Sequence, residues 1–226
     1  MTRRVEVVED VLSANDDLAA QNRERLHAAG VFSVNLMASP GAGKTSLIER
    51  TAAALGKDLR LAVIDGDLAT SLDADRAAAA GAVAVQINTG GQCHLDAVMV
   101  RRGLDTLDLS QIDLLLVENV GNLVCPTAFD LGTDARVLIA SVPEGDDKPF
   151  KYPGSYRSID AVLLNKIDLL PYVEFDVRRF LHGVEVLNPN LTSFLVSCKT
   201  GEGLDEWFAW LRRAVHAKPA EAERAG

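Results

Sequence analysis

The segment ASPGAGKTSL, residues 38–47, closes one apolar run and opens a helical one, and its residue types suit a phosphate. A turn of small residues between a strand and a helix points backbone N–H groups inward, and the positive end of the helix favours an anion. Gly41, Ala42 and Gly43 make the turn, Lys44 is placed to reach the β- and γ-phosphates, Thr45 to bind Mg2+, and Ser46 to extend the cradle. The pattern departs from G-x-x-x-x-G-K-[ST] at its first position. There Ala38 replaces glycine and requires a backbone conformation compatible with a Cβ.

A second segment, NKID at 165–168, closes another apolar run about 120 residues later. The Asp168 carboxylate can accept two parallel hydrogen bonds from N1–H and the exocyclic amine of guanine, an edge that adenine does not offer. Asn165 and Lys166 would brace the loop and the ring, so the expected nucleotide is GTP or GDP. SCK at 197–199 would complete the base site, with backbone N–H groups near Cys198 and Lys199 meeting the base oxygen and the Cys198 side chain packed inside.

Acids follow two further runs. Asp65, Asp67 and Asp73 lie in VIDGDLATSLDADR, and Glu118 in LLVENVGN, three residues before Gly121. Acids at such positions can hold Mg2+ beside the phosphates and sense the γ-phosphate, whereas Asp65 and Asp67 can equally be turn or cap residues. Glu118 occupies the place where aspartate is usual.

GGQCHLDA puts Cys93 beside His94, and Cys125 follows Glu118 by seven residues. A cysteine in such a chain is ordinarily a small buried hydrophobe and a histidine a satisfied polar group. Both segments nevertheless leave the same ends of the apolar runs as the nucleotide motifs, so the three side chains can converge. Two thiolates and an imidazole suit Ni2+ or Zn2+, and three donors leave a coordination position open. Adjacent residues of a regular helix face different ways, so Cys93 and His94 are expected on a loop or a first helical turn.

Elements that position these groups follow from the apolar pattern. Runs at 31–38, 59–65, 82–88, 112–120, 134–142, 159–166 and 192–198 are too apolar for strands with one solvated face, and helical segments separate them. Strands of that kind are covered on both faces, which predicts an α/β fold: a mostly parallel sheet of about seven strands flanked by helices. Residues 5–29 predict one or two amphipathic helices. The division expected is a helical arm at 1–30, a phosphate-loop GTPase domain at 31–216 and a flexible tail at 217–226. A net charge of -9 argues against nucleic-acid binding, and no window is apolar enough to span a membrane. Three widely spaced cysteines fit a reducing cytoplasmic setting better than a disulfide framework.

Together SPGAGKTSL, GDLATSLDADR, NTGGQCHLDA, LLLVENVGNLVCP, EGDDKPFKYP, NKIDLL and SCKTGEGLDEW resemble the hydrogenase nickel-incorporation GTPases, the HypB family, over nearly the whole chain. The resemblance implies a SIMIBI-type P-loop GTPase that hydrolyses GTP and supports nickel insertion into the nickel–iron hydrogenase large subunit. It implies nickel or zinc on Cys93, His94 and Cys125 at a GTP-dependent homodimer interface, and Mg2+ and switch roles for Thr45, Asp67, Asp73 and Glu118 beside Lys44. An accessory nickel protein of HypA type is the implied partner. The Cys-x-x-Cys-Gly-Cys and histidine-rich stretches often seen in that family do not occur in these 226 residues, which leaves the metal chemistry to residues 93, 94 and 125. Two alternatives are a urease-type nickel-insertion GTPase, whose metal motif is Cys-Pro-His, and a metal-binding phosphate-loop protein without significant turnover.

Overall fold

The computed structural model describes residues 7–67 and 72–218, and side chains within 11–66 and 73–218. All seven apolar runs form strands: β1 (Phe32–Ala38), β2 (Leu61–Asp67), β3 (Val83–Asn88), β4 (Leu114–Glu118), β5 (Ala135–Ser141), β6 (Ala161–Asn165) and β7 (Thr192–Leu195). They pair in parallel, in the order β3-β2-β4-β1-β5-β6-β7. The inner strands β4 and β6 are buried along their whole length, while the edge strands β3 and β7 are largely open.

The helices among the described residues are α1 (Val7–Ala28), α2 (Lys44–Leu55), α3 (Leu72–Ala79), α4 (Ala97–Asp105), α5 (Lys148–Lys151), α6 (Pro153–Arg157), α7 (Val177–Leu187) and α8 (Leu204–His216). Successive strand residues face opposite layers. Val34, Leu36 and Ala38 join Leu47 and Ile48 of α2 and Trp207 of α8 on one face. On the other, Ile64, Leu115 and Val117 meet Leu26 of α1 and Leu104 of α4, and Met37 and Leu138 lie in a cluster with Tyr156 of α6 and Phe180 of α7.

Since β1 lies between β4 and β5, the chain leaves β1 toward one side of the sheet and later crosses to the other. Such a reversal opens a crevice beyond the carboxyl ends of the strands, where open α/β sheets bind their ligands. Pairing sets Glu118 level with both Leu36 and Asp65 at that end, and Asn165 level with Ser141.

One continuous helix, α1, forms at the N-terminal end, and its buried face carries two amides among the apolar residues. Val11 is 52% exposed, whereas Asn15, Ala19, Asn22 and Leu26 are buried. At the opposite end of the chain, Lys218 donates to Asp134 at 2.6 Å and to the Val31 carbonyl at 2.6 Å. Residues 219–226, most of the expected tail, lie outside the described residues. No described helix is long and apolar enough to cross a membrane.

Candidate functional site

β1 ends at Ala38, which is fully buried and still in the strand, so the departure from glycine falls on extended backbone and costs nothing. Two glycines carry the turn that follows: Gly41 at φ 76° and Gly43 at φ 108° are left-handed. A Cβ on Gly43 would also lie 2.4 Å from Asn165 Nδ2, so the loop can reach the guanine motif only with glycine there.

That approach is secured by hydrogen bonds. Asn165 Nδ2 donates to the Ala42 carbonyl at 2.9 Å, and its Oδ1 accepts from Lys166 N at 2.8 Å and Cys198 N at 3.1 Å. One buried amide thus joins the phosphate loop, the NKID turn and the loop after β7. Lys166, the one non-glycine residue with positive φ among those described, donates through Nζ to the Gly41 carbonyl at 2.7 Å. Ser197 Oγ donates to Asp168 Oδ1 at 2.6 Å and fixes that carboxylate. A cavity of about 400 Å3 opens among Gly43, Ser46, Lys166, Asp168, Cys198 and Lys199. Burial pushes the Cys198 thiol up to about 11, which suits a packing role.

A second cavity, of about 510 Å3, is lined by Lys44, Thr45, Asp73, Arg76, Glu118 and Gly121. Thr45 Oγ1 donates to Glu118 Oε1 at 2.9 Å. Burial, with Asp65 and Asp73 nearby, pushes the Glu118 carboxyl up to about 8 against the opposing pull of Lys44 and Thr45. The Thr45 hydroxyl beside the Glu118 carboxylate, with Asp73 in the same cavity, is a hard oxygen set, so these residues fit Mg2+. Asp67 ends β2, and its side chain lies outside those described.

Arg76 is a residue that sequence reasoning missed. Its guanidinium is held away by Glu49 at 2.8 and 2.7 Å and reaches Asp73 at 3.4 Å. The contact to Glu49 spans 27 positions and leaves no local pattern.

Cys93, His94 and Cys125 converge, with their ligand atoms all within 4.8 Å of one another. The first two sit in the loop before α4, as adjacent ligands require, and Cys125 opens a 3-10 turn, Cys125–Ala128, after β4. His94 stacks on Phe129 with ring centroids 4.0 Å apart. Burial holds the imidazole below its usual value, which favours the neutral form that binds metal. The Cys125 thiol beside it and slight burial raise the Cys93 thiol, so metal binding here releases protons. The donor set of two sulfurs and one nitrogen fits Ni2+ or Zn2+.

Asn119 joins this cluster to the phosphate site. It follows Glu118 directly, its Oδ1 accepts from Leu95 N at 2.9 Å, and its Nδ2 donates to Asn35 Oδ1 at 3.2 Å. Leu95 in turn packs over Gly66, where a Cβ would lie 2.6 Å from its side chain. The backbone next to His94 is therefore bonded to the residue next to Glu118.

Known proteins resemble this chain in sequence and fold. Residues 33–194 match the family described as CobW/HypB/UreG, nucleotide-binding domain. The chain is 50% identical over 212 residues to a hydrogenase maturation factor HypB of Azotobacter vinelandii, covering 94% of this chain and 70% of that one. It superimposes on the crystal structure of HypB from Helicobacter pylori in complex with nickel with a TM-score of 0.86 at 39% identity, over 90% of this chain and 96% of that one. The signal recognition particle 54 kDa protein of Aeropyrum pernix K1 in complex with GDP shares the fold alone, with a TM-score of 0.56 at 15% identity over 85% and 48%.

Proposed function

The chain belongs to the HypB family of hydrogenase maturation factors, and on that premise we propose that it is a GTP-hydrolysing carrier that binds nickel and supports its insertion into the hydrogenase large subunit. The observation that carries this reading is the convergence of Cys93, His94 and Cys125, with the Cys93 and His94 loop bonded through Leu95 N to Asn119, the neighbour of Glu118.

In this reading the N–H groups of residues 41–46 cradle the phosphates, Lys44 neutralises the β- and γ-oxygens, and Asp168 selects guanine. Asn165, Lys166, Ser197, Cys198 and Lys199 shape the base site. Thr45, Asp73 and Glu118 would hold Mg2+, which supplies the charge neutralisation that phosphoryl transfer needs, and Asp67 follows on the same strand end. Any shift at Glu118 is passed through Asn119 to the backbone beside His94, so nucleotide state and metal affinity are linked. Linkage is reciprocal: bound metal must bias nucleotide affinity by the same factor.

Three donors leave the metal incompletely coordinated. A second copy bringing its own Cys93, His94 and Cys125 would complete the shell, which favours a GTP-dependent homodimer with the ion at its two-fold axis. An accessory nickel protein and the hydrogenase large subunit are the partners that fit such a transfer site.

The test is a titration of Ni2+ and of Zn2+ into the protein with GDP, and with a non-hydrolysable GTP analogue and Mg2+, reading affinity and oligomeric state together. Nucleotide-dependent affinity and dimerisation that vanish in Cys93→Ala support the carrier. Equal metal affinity in both nucleotide states refutes it.

A further inference from the structure

Helix α1 lies against α4, whose first turn continues the Cys93 and His94 loop, and against the segment after Phe129, and it meets both with two asparagines. Asn15 and Asn22 are 6% and 0% exposed. Asparagine is a poor residue for a helix interior and costly to bury, so tertiary hydrogen bonds must offset each one.

Asn15 Nδ2 donates to the Asp130 carbonyl at 2.8 Å, and its Oδ1 accepts from Ala97 N at 2.9 Å. Asn22 Nδ2 donates to the carbonyls of Ala97 at 3.0 Å and Leu131 at 3.2 Å, and its Oδ1 accepts from Arg101 Nε at 2.7 Å. Ala97 comes three residues after His94. Asp130 and Leu131 come directly after Phe129, whose ring stacks on His94, and five and six residues after Cys125. Each amide therefore bonds at once the first residue of α4, where the Cys93 and His94 loop ends, and the backbone just after Phe129.

The close approach is built in. Gly132 has φ 83°, and a Cβ there would lie 2.2 Å from the Ala19 carbonyl oxygen. Arg23 adds a bond to the Asp130 carboxylate at 2.7 Å. Leucine at positions 15 and 22 would bury the same face of α1, but it could not bond either loop; an amide, donor and acceptor together, can bond two backbones in one step.

We propose that Asn15 and Asn22 are positioning residues of the metal site: they fix the loop of Cys93 and His94 against the loop of Cys125 and Phe129, and so set nickel affinity and coordination geometry. The inference rests on the metal-carrier reading given above.

The experiment uses the full chain as Asn15→Ala, Asn22→Ala and Cys93→Ala, titrated with Ni2+ alone while following the thiolate-to-nickel charge-transfer absorption. GDP affinity and circular dichroism are measured on the same samples. Each asparagine variant is expected to lose about tenfold in Ni2+ affinity, ~1.4 kcal/mol by the usual conversion, with a shifted charge-transfer band and GDP affinity unchanged. Should Asn22→Ala fail to fold, Asn15→Asp, which keeps the acceptor for Ala97 and removes the donor to Asp130, should give the same nickel defect. Unaltered nickel affinity and spectrum in a folded asparagine variant overturn the inference, as do equal losses of nickel and GDP affinity, which would assign the pair to general stability. Nickel retained by Cys93→Ala overturns the metal reading and the inference with it. Nickel lost there but kept in both asparagine variants overturns the inference alone.

Discussion

Thr45 Oγ1 lies 2.9 Å from Glu118 Oε1, so the first turn of α2 and the last residue of β4 share one hydrogen bond across 73 positions of sequence. The acid is 4% exposed and its carboxyl is pushed up to about 8 by burial and by Asp65 and Asp73. A neutral glutamine can therefore occupy its place without loss of packing. Glu118→Gln is expected to leave thermal stability near neutral pH within about 1 kcal/mol of the parent. Its GTP hydrolysis at saturating Mg2+ should fall by roughly a hundredfold or more, since removing one charge-stabilising group costs about 3 kcal/mol or more. Hydrolysis that persists undiminished would remove Glu118 from the Mg2+ set.

Asp168 is held by Ser197 at 2.6 Å and lines the cavity proposed for the base. Asp168→Asn removes one acceptor of the pair that reads N1–H and the amine of guanine, and offers a donor that suits the C2 carbonyl of xanthine instead. Charge-assisted bonds of this kind contribute about 1.5–3 kcal/mol, so the Kd for GDP should rise roughly tenfold to a hundredfold while that for xanthosine diphosphate falls. Fluorescence competition between the two nucleotides measures the ratio, and an unchanged ratio would mean that Asp168 does not face the base edge.

Much of this was legible in the sequence because it is local. Seven apolar runs gave seven strands, since buried parallel strands need hydrocarbon on both faces, and the motifs at their ends were contiguous. Asn165 bonds Ala42, Lys166 and Cys198, the last two at or beside motifs that are contiguous in sequence. The residues that went unread act at a distance: Asn119 bonds Leu95 across 24 positions, and Arg76 meets Glu49 across 27. In α1 the buried stripe runs through Asn15, Ala19, Asn22 and Leu26, so two of its four members are amides that an apolar pattern does not mark. The signal available was two asparagines seven apart in a helix interior, a placement that helix propensity disfavours.

Arg76 lines the phosphate cavity, but Glu49 holds its guanidinium by two bonds of 2.8 and 2.7 Å. A cation held this close gains a competing partner when a triphosphate occupies the cavity. Arg76→Ala is expected to weaken a non-hydrolysable GTP analogue by about tenfold, or ~1.4 kcal/mol, with a smaller effect on GDP. Glu49→Gln should shift the same ratio the other way. Paired Kd values for the two nucleotides decide it: equal effects on both would show that the guanidinium does not meet the terminal phosphate.

Asp130 stands where α1 meets the Cys125 loop, taking Arg23 at 2.7 Å and the Gly132 N–H at 3.0 Å, with Arg136 at 3.4 Å. Burial alone would raise its carboxyl, but the Gly132 N–H and the two arginines outweigh burial and hold it below the usual carboxylate range. A depressed folded value means that the unfolded chain takes up the proton first on acidification, so stability from this group is present above the ordinary carboxylate value and is lost as pH falls through the depressed one. With the arginines partly exposed, the contribution is about 1 kcal/mol. Asp130→Asn should therefore be less stable than the parent by about that amount at pH 7, and the difference should shrink as pH drops below about 4. Denaturant unfolding across that range measures the difference, and hydrogen exchange should place the acid-sensitive opening in α1. A difference that stays constant with pH would mean that the carboxylate charge does not hold α1 to the loop.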